Sequence, residues 1–208
     1  GNAYIQKWAD RINLTTTIIP TIVDSQQYEK NFFHSTDPLT LGWIGSPATW
    51  CYMEPYLDFL SELSLKYKFN VLIIGSGRSD QLSERFRFRE WSEQREVQDI
   101  HEMDIGIMPL PDDKWAQGKC GYKLIQYMAT SIPVIASPVG MNSIIVEHGL
   151  NGFLASTQAE WELAICNLIT QPEIRKKMGI EASNTVKSRY SLQSQSQTIA
   201  NIFHSLVN

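Results

Sequence analysis

A chain of 208 residues, 43% hydrophobic and 19% charged, can fold around a core and is long enough for one domain, or for one domain and part of another. The formal net charge of −4 removes any electrostatic ground for nucleic acid or an anionic membrane as partner, while a small anion held by local dipoles stays compatible. Cys51, Cys120 and Cys166 are too scattered for a disulfide framework or a metal knuckle and point to a reducing, cytoplasmic setting.

In chain order, Asn2 to Ile12 has helical spacing, with Tyr4, Ile5, Trp8 and Ile12 on one stripe. Thr15 to Ile19 is β-branched and predicts a strand stopped by Pro20, and Thr21 to Pro38 lacks periodicity and reads as a connector. Leu39 to Ile44 is an apolar strand ending in Gly45-Ser46-Pro47, followed by a helix marked by Met53, Tyr56, Leu57, Leu60 and Leu63. Val71 to Ile74 ends in Gly75-Ser76-Gly77, and Phe86 to Arg89 is a short strand leading to Trp91. Val97, Ile100 and Met103 pattern a helix before the Ile105 to Met108 strand. A polar loop then enters a helix at Cys120-Gly121, and strands follow at Val134 to Ala136 and Gly152 to Leu154. The chain closes with helices over Ala159 to Leu168, Glu173 to Ser188 and Leu192 to Leu206. The last carries an apolar stripe of Ile199, Ile202, Phe203 and Leu206 that should pack on something.

Six short strands alternating with helices predict an α/β fold, a doubly wound parallel sheet with three C-terminal helices. Any ligand belongs at the carboxyl ends of the strands, where the 45–47, 75–78 and 118–123 loops would converge. The glycine-containing loop at Gly121 would expose backbone N–H groups at the positive end of a helix dipole, which suits a phosphate. Lys119 and Lys123 flank it and would add charge-assisted hydrogen bonds; the plainer reading is an ordinary crossover with solvated lysines. Gly75 and Gly77 serve a tight turn, with a ligand contact as the other reading. Trp91 reads as a packed core residue, or else as a neighbour of the bound base. Asp112 and Asp113 read as solvated loop acids, Glu147 as part of a turn, and none of His34, His101, His148 and His204 has ligand spacing. Asn13-Leu14-Thr15 matches a glycosylation sequon by chance. A start at Gly1 in a helical pattern, without methionine, leads us to expect a piece of something longer.

The run Lys123 to Ala129, then Ile132 to Ser137, Gly140, and Glu147 to Leu154, resembles the C-terminal half of a family 4 (group 1) glycosyltransferase; upstream, Ile18 to Asp24 resembles the phrase joining that family's two domains. The resemblance implies a GT-B architecture: residues 1–35 as the tail of an N-terminal domain plus linker, 36–190 as a Rossmann-like nucleotide-sugar domain, and 191–208 as a helix crossing back. It implies a bacterial-type, hexosyltransferase-like enzyme that transfers sugar with retention from a UDP-, GDP- or ADP-sugar, needing no metal or other cofactor. The acceptor would be a saccharide or a lipid-linked molecule, nucleic acid is no partner, and membrane contact would come only through parts outside this chain. The implied place is the cytoplasm, with a peripheral position at the inner membrane face left open.

By the same resemblance, Lys119 and Lys123 would serve the departing diphosphate. Gly45, Ser46, Thr49, Gly75, Gly77, Arg78, Trp91, Cys120, Gly121, Tyr122 and Gln126 would hold the donor. The family commonly has two glutamates where Gly118 and Gln126 stand; Gln126 can still accept from ribose hydroxyls through its amide oxygen, and Asp112 or Asp113 would replace the first carboxylate. An arginine and a lysine common in the family are Ser46 and Cys51 here, so the cationic work would pass to Lys119, Lys123 or Arg78. A nucleotide-sugar epimerase, or a non-catalytic module on the same fold, are the competing readings.

Overall fold

The computed structural model describes residues 1–12, 16–29, 37–78 and 83–207, the side chains of 206 and 207 excepted. Six strands form one all-parallel sheet: β1 (Thr40–Ile44), β2 (Asn70–Ile74), β3 (Phe86–Arg89), β4 (Ile105–Met108), β5 (Val134–Ala136) and β6 (Gly152–Leu154). Their order is β3-β2-β1-β4-β5-β6, so the chain runs outward from β1 to one edge and returns to start outward again from β4. Five lie within or on the expected segments, and β2 begins one residue earlier, at Asn70.

The helices are α1 (Ala3–Ala9), α2 (Leu57–Tyr67), α3 (Glu96–His101), α4 (Lys114–Gln117), α5 (Tyr122–Ala129), α6 (Asn142–Ile145), α7 (Gln158–Thr170), α8 (Pro172–Arg189) and α9 (Leu192–Val207). The strands are short apolar runs because both faces are covered. Leu41, Trp43, Val71, Ile73, Ile105, Ile107 and Ile135 point into one core with α2 and α7. Ile44, Leu72, Ile74, Met108, Val134 and Ala136 point into the other with α5 and α8. The alternation is the period of two expected of a strand.

Three expectations change. The predicted strand over 15–19 is not one: residues 16–19 pair with no strand, and Thr15 lies outside the described residues. The backbone oxygens of Thr16 and Ile19 are taken instead by Gln6 Nε2 and the Gly1 amino group. Further on, Val23 makes a single parallel bridge to Ser191, donating to Tyr190 O and accepting from Leu192 N. The helix marked from Met53 starts as 3₁₀ turns over Pro47–Tyr52 and Glu54–Tyr56, and becomes α-helical only at Leu57. Each of those turns has a proline at its start, where a missing N–H is tolerated. The short helices α4 and α6 had no periodic signal, since four residues barely exceed one turn. In the last helix Ile199 and Ile202 are half-buried but Phe203 is 63% exposed. The domain boundary at 35/36, the sequon and His34 lie outside the described residues.

Candidate functional site

The carboxyl ends of β1, β2 and β3 open on a cleft of about 510 Å³ lined by Gly45, Ser46, Pro47, Gly75, Gly77 and Trp91, with Glu90 at its rim. Its walls are tied to the sheet: Gly45 N donates to Ile74 O and Gly75 N to Arg89 O. Gly75 and Gly77 turn the chain at φ of 76° and 70°. Ser46 N donates to Thr49 Oγ1 at 3.0 Å. Trp91 is not the core residue first expected. It is 47% exposed, since β3 is an edge strand with no layer beyond it, and its indole N–H donates to Glu96 Oε2 at 2.7 Å.

The second arm follows β4. Asp113 caps α4 by accepting from Ala116 N at 2.7 Å, and Asp112 accepts from Gln117 Nε2 at 2.8 Å, so this acid pair organises its own loop. The loop is also held from α1, where Asn2 Nδ2 donates to Gln117 O and Lys119 O. The chain then enters α5 through Gly121, which is left-handed at φ 73° and leaves the helix without a side-chain cap. A Cβ there would meet Ile145 Cδ1 at 2.3 Å, so only glycine brings the backbone this close. The first amides of α5 thus sit without a side-chain cap at the positive end of the dipole, beside a half-exposed Tyr122.

Two ammonium groups attend this corner. Lys119 Nζ lies 5.0 Å from the centre of the Tyr52 ring, and Lys123 Nζ lies 4.5 Å from that of Trp43 and donates to Thr49 Oγ1 at 3.4 Å. Burial, and then the neighbouring Lys119, pull the Lys123 amine down to about 7. Among the described residues no carboxylate pairs with either lysine, so the corner is short of negative charge.

The sequence-predicted residues therefore divide. Gly45, Ser46, Gly75, Gly77 and Trp91 share the cleft, while Thr49, Lys119, Cys120, Gly121, Tyr122 and Lys123 belong to the α5 corner, the Thr49–Lys123 contact joining the two. Arg78 ends the 75–78 loop, exposed and 3.9 Å from Glu54. Cys51 is exposed and turned onto Ala48 O. Gln126 departs from expectation: it is 2% exposed, and its amide nitrogen donates to Tyr28 OH at 3.0 Å and Glu96 Oε1 at 2.6 Å. Glu96 in turn links it to Trp91, which lines the cleft. Tyr28 and Glu96, with Trp43 and Tyr52, are the site residues the sequence reading missed. Their partners lie 30 to 98 positions away in the chain, which no local period records.

Glycine loops, an uncapped helix N-terminus and two lysines thus gather at the carboxyl edge of a doubly wound α/β sheet, the edge where such folds take their ligands. The family model for "Glycosyl transferases group 1" matches residues 40–171, and the chain belongs to this family. Glycosyltransferase 1 domain-containing protein 1 of Xenopus tropicalis is 29% identical over 75 residues, which are 36% of this chain and 22% of that protein. HepE of Anabaena, solved with UDP and glucose, superposes with a TM-score of 0.73 at 18% identity, over 91% of this chain and 57% of its own. Sucrose-phosphate synthase of Thermosynechococcus elongatus gives 0.70 at 16% identity, over 99% and 57%. The chain thus spans little more than half the length of these solved proteins, and its fold is the Rossmann-like fold of GT-B glycosyltransferases.

Proposed function

We propose that this chain is the donor-binding half of a retaining, metal-independent glycosyltransferase, with a UDP-, GDP- or ADP-sugar as donor and a saccharide or lipid-linked acceptor held elsewhere. The observation that carries this is the α5 corner: a left-handed, uncapped Gly121 with Lys119 and Lys123 beside it and no carboxylate opposing them. Family membership supports it, as does the UDP bound by a protein of the same fold.

The costly event is cleavage of the bond between the anomeric carbon and the diphosphate, because negative charge accumulates on the leaving oxygens. The amides of Gly121 and Tyr122 are already aligned toward that charge, so no reorganisation is needed when it develops. Lys123, starved of a partner by burial, gains most from an arriving anion. Gly45, Gly75 and Trp91 would carry the nucleoside. By itself the donor half would bind nucleotide weakly and turn over nothing, since the acceptor side is not part of it. No helix among the described residues is long and apolar enough to cross a membrane.

Thermal unfolding with UDP, GDP and ADP tests this. A nucleotide at a hundred times its dissociation constant should stabilise the fold by about 2.7 kcal/mol. Unmoved midpoints at millimolar concentrations of all three, in this chain and in the full-length protein, would refute the reading.

A further inference from the structure

We propose that Glu96 is the carboxylate that reads the ribose diol of the bound nucleotide, with Tyr28 and Gln126 as its positioning residues. The inference rests on the donor-site reading above and adds a residue to it.

Glu96 opens the first turn of α3. Arg89, at the end of β3, pairs with Asp99 on α3 and with Glu102 just past its end, and so ties α3 to that strand. A carboxylate offers about four acceptor positions. On Oε1, two are filled from inside the protein, by Gln126 Nε2 at 2.6 Å and Tyr28 OH at 3.2 Å. On Oε2, the Trp91 indole fills one at 2.7 Å, which leaves that oxygen able to accept once more beside a residue of the cleft. Trp91 itself lines the cleft with Gly45 and Gly75.

Among the described residues no lysine or arginine pairs with Glu96, and each of its three partners is a neutral donor. A half-buried charge without a counter-charge is costly, and a glutamine at this place would satisfy part of the same network without that cost. Such violations of local economy belong at functional sites. Hydroxyl groups bind a carboxylate through charge-assisted bonds, and in doubly wound nucleotide folds an acid takes the ribose hydroxyls. The Gln126 amide nitrogen is spent inside the protein on Tyr28 and Glu96, which holds the Glu96 carboxylate in place.

The test is calorimetric titration of the full-length protein with whichever of UDP, GDP and ADP stabilises it, and with the 2′,3′-dideoxy form of that nucleotide. The wild type should prefer the ribonucleotide at least tenfold. E96Q should lose at least tenfold for the ribonucleotide and stay within twofold for the dideoxy form, so that the preference collapses. E96Q/Q126E, which returns a carboxylate to the same pair, should recover it. Equal loss for both forms in E96Q would mean a structural role and overturn the proposal, as would an E96Q protein that keeps its preference, or a wild type that binds both forms alike. A wild type that binds none of the three nucleotides instead overturns the donor-site reading itself, and this assignment with it.

Discussion

Lys123 shows how one residue can trade stability for binding. Its amine sits over Trp43 with Thr49 as neighbour, and burial followed by Lys119 lowers it to about 7. In the unfolded chain the same amine titrates at about 10.4. Between those values the unfolded chain holds a proton that the native state has released, so stability from this group rises as pH climbs from about 7 and is lowest below it. A bound diphosphate reverses the preference and restores the proton. Nucleotide binding above pH 7 should therefore take up protons, and affinity should fall between pH 7 and 9. Calorimetry in two buffers of different ionisation enthalpy measures that uptake, and equal heats in both would contradict it. K123M keeps the shape and removes the charge: its unfolding midpoint should hold or rise, while affinity at pH 7 drops about tenfold, or ~1.4 kcal/mol.

At the scale of the element, α5 determines whether a site exists. Tyr127 OH accepts from Ile44 N at 2.8 Å, which fastens the helix to the end of β1 one residue before the cleft begins. The same ring lies where a side chain on Gly106 would stand, since a Cβ there would meet Tyr127 Cδ2 at 2.4 Å. Burial pushes the Tyr127 phenol up, so it stays neutral and hydrogen-bonding at any working pH. Y127F would strand a buried amide and should cost about 1–3 kcal/mol in urea unfolding. A change below ~0.5 kcal/mol would mean that Ile44 N finds another acceptor. G121A forces a non-glycine residue into the left-handed region at about 1–2 kcal/mol and drives its Cβ into the buried Ile145, so the helix entry must shift and stability and nucleotide affinity should fall together. The helix itself was legible from Cys120-Gly121 and the spacing behind it; its lock onto β1, 83 residues away, was not.

Over the whole molecule, the order β3-β2-β1-β4-β5-β6 sets the ends of β1 and β4 side by side where the strand order reverses, and the Thr49–Lys123 contact joins the segments that follow them. Among the described residues no three of His, Cys, Asp and Glu gather as a metal site would require. The midpoint shift caused by a nucleotide should then be the same in EDTA as in millimolar Mg²⁺, by thermal unfolding. A shift that needs the metal would contradict the proposed chemistry.

The sequence alone determined the six strands, the long helices and the glycine-led entry into α5, because each is written in short-range terms: apolar runs of strand length, helical spacing, and a glycine before a helix. Only the tertiary structure decided which side chains share that corner. It turned Trp91 outward on an edge strand, removed Gln126 from the surface, gave Asp113 to a cap, and joined Tyr28 to Glu96 across 68 positions. Those outcomes depend on how layers stack and on which polar atoms find partners once water has left, and no local pattern of residues encodes either.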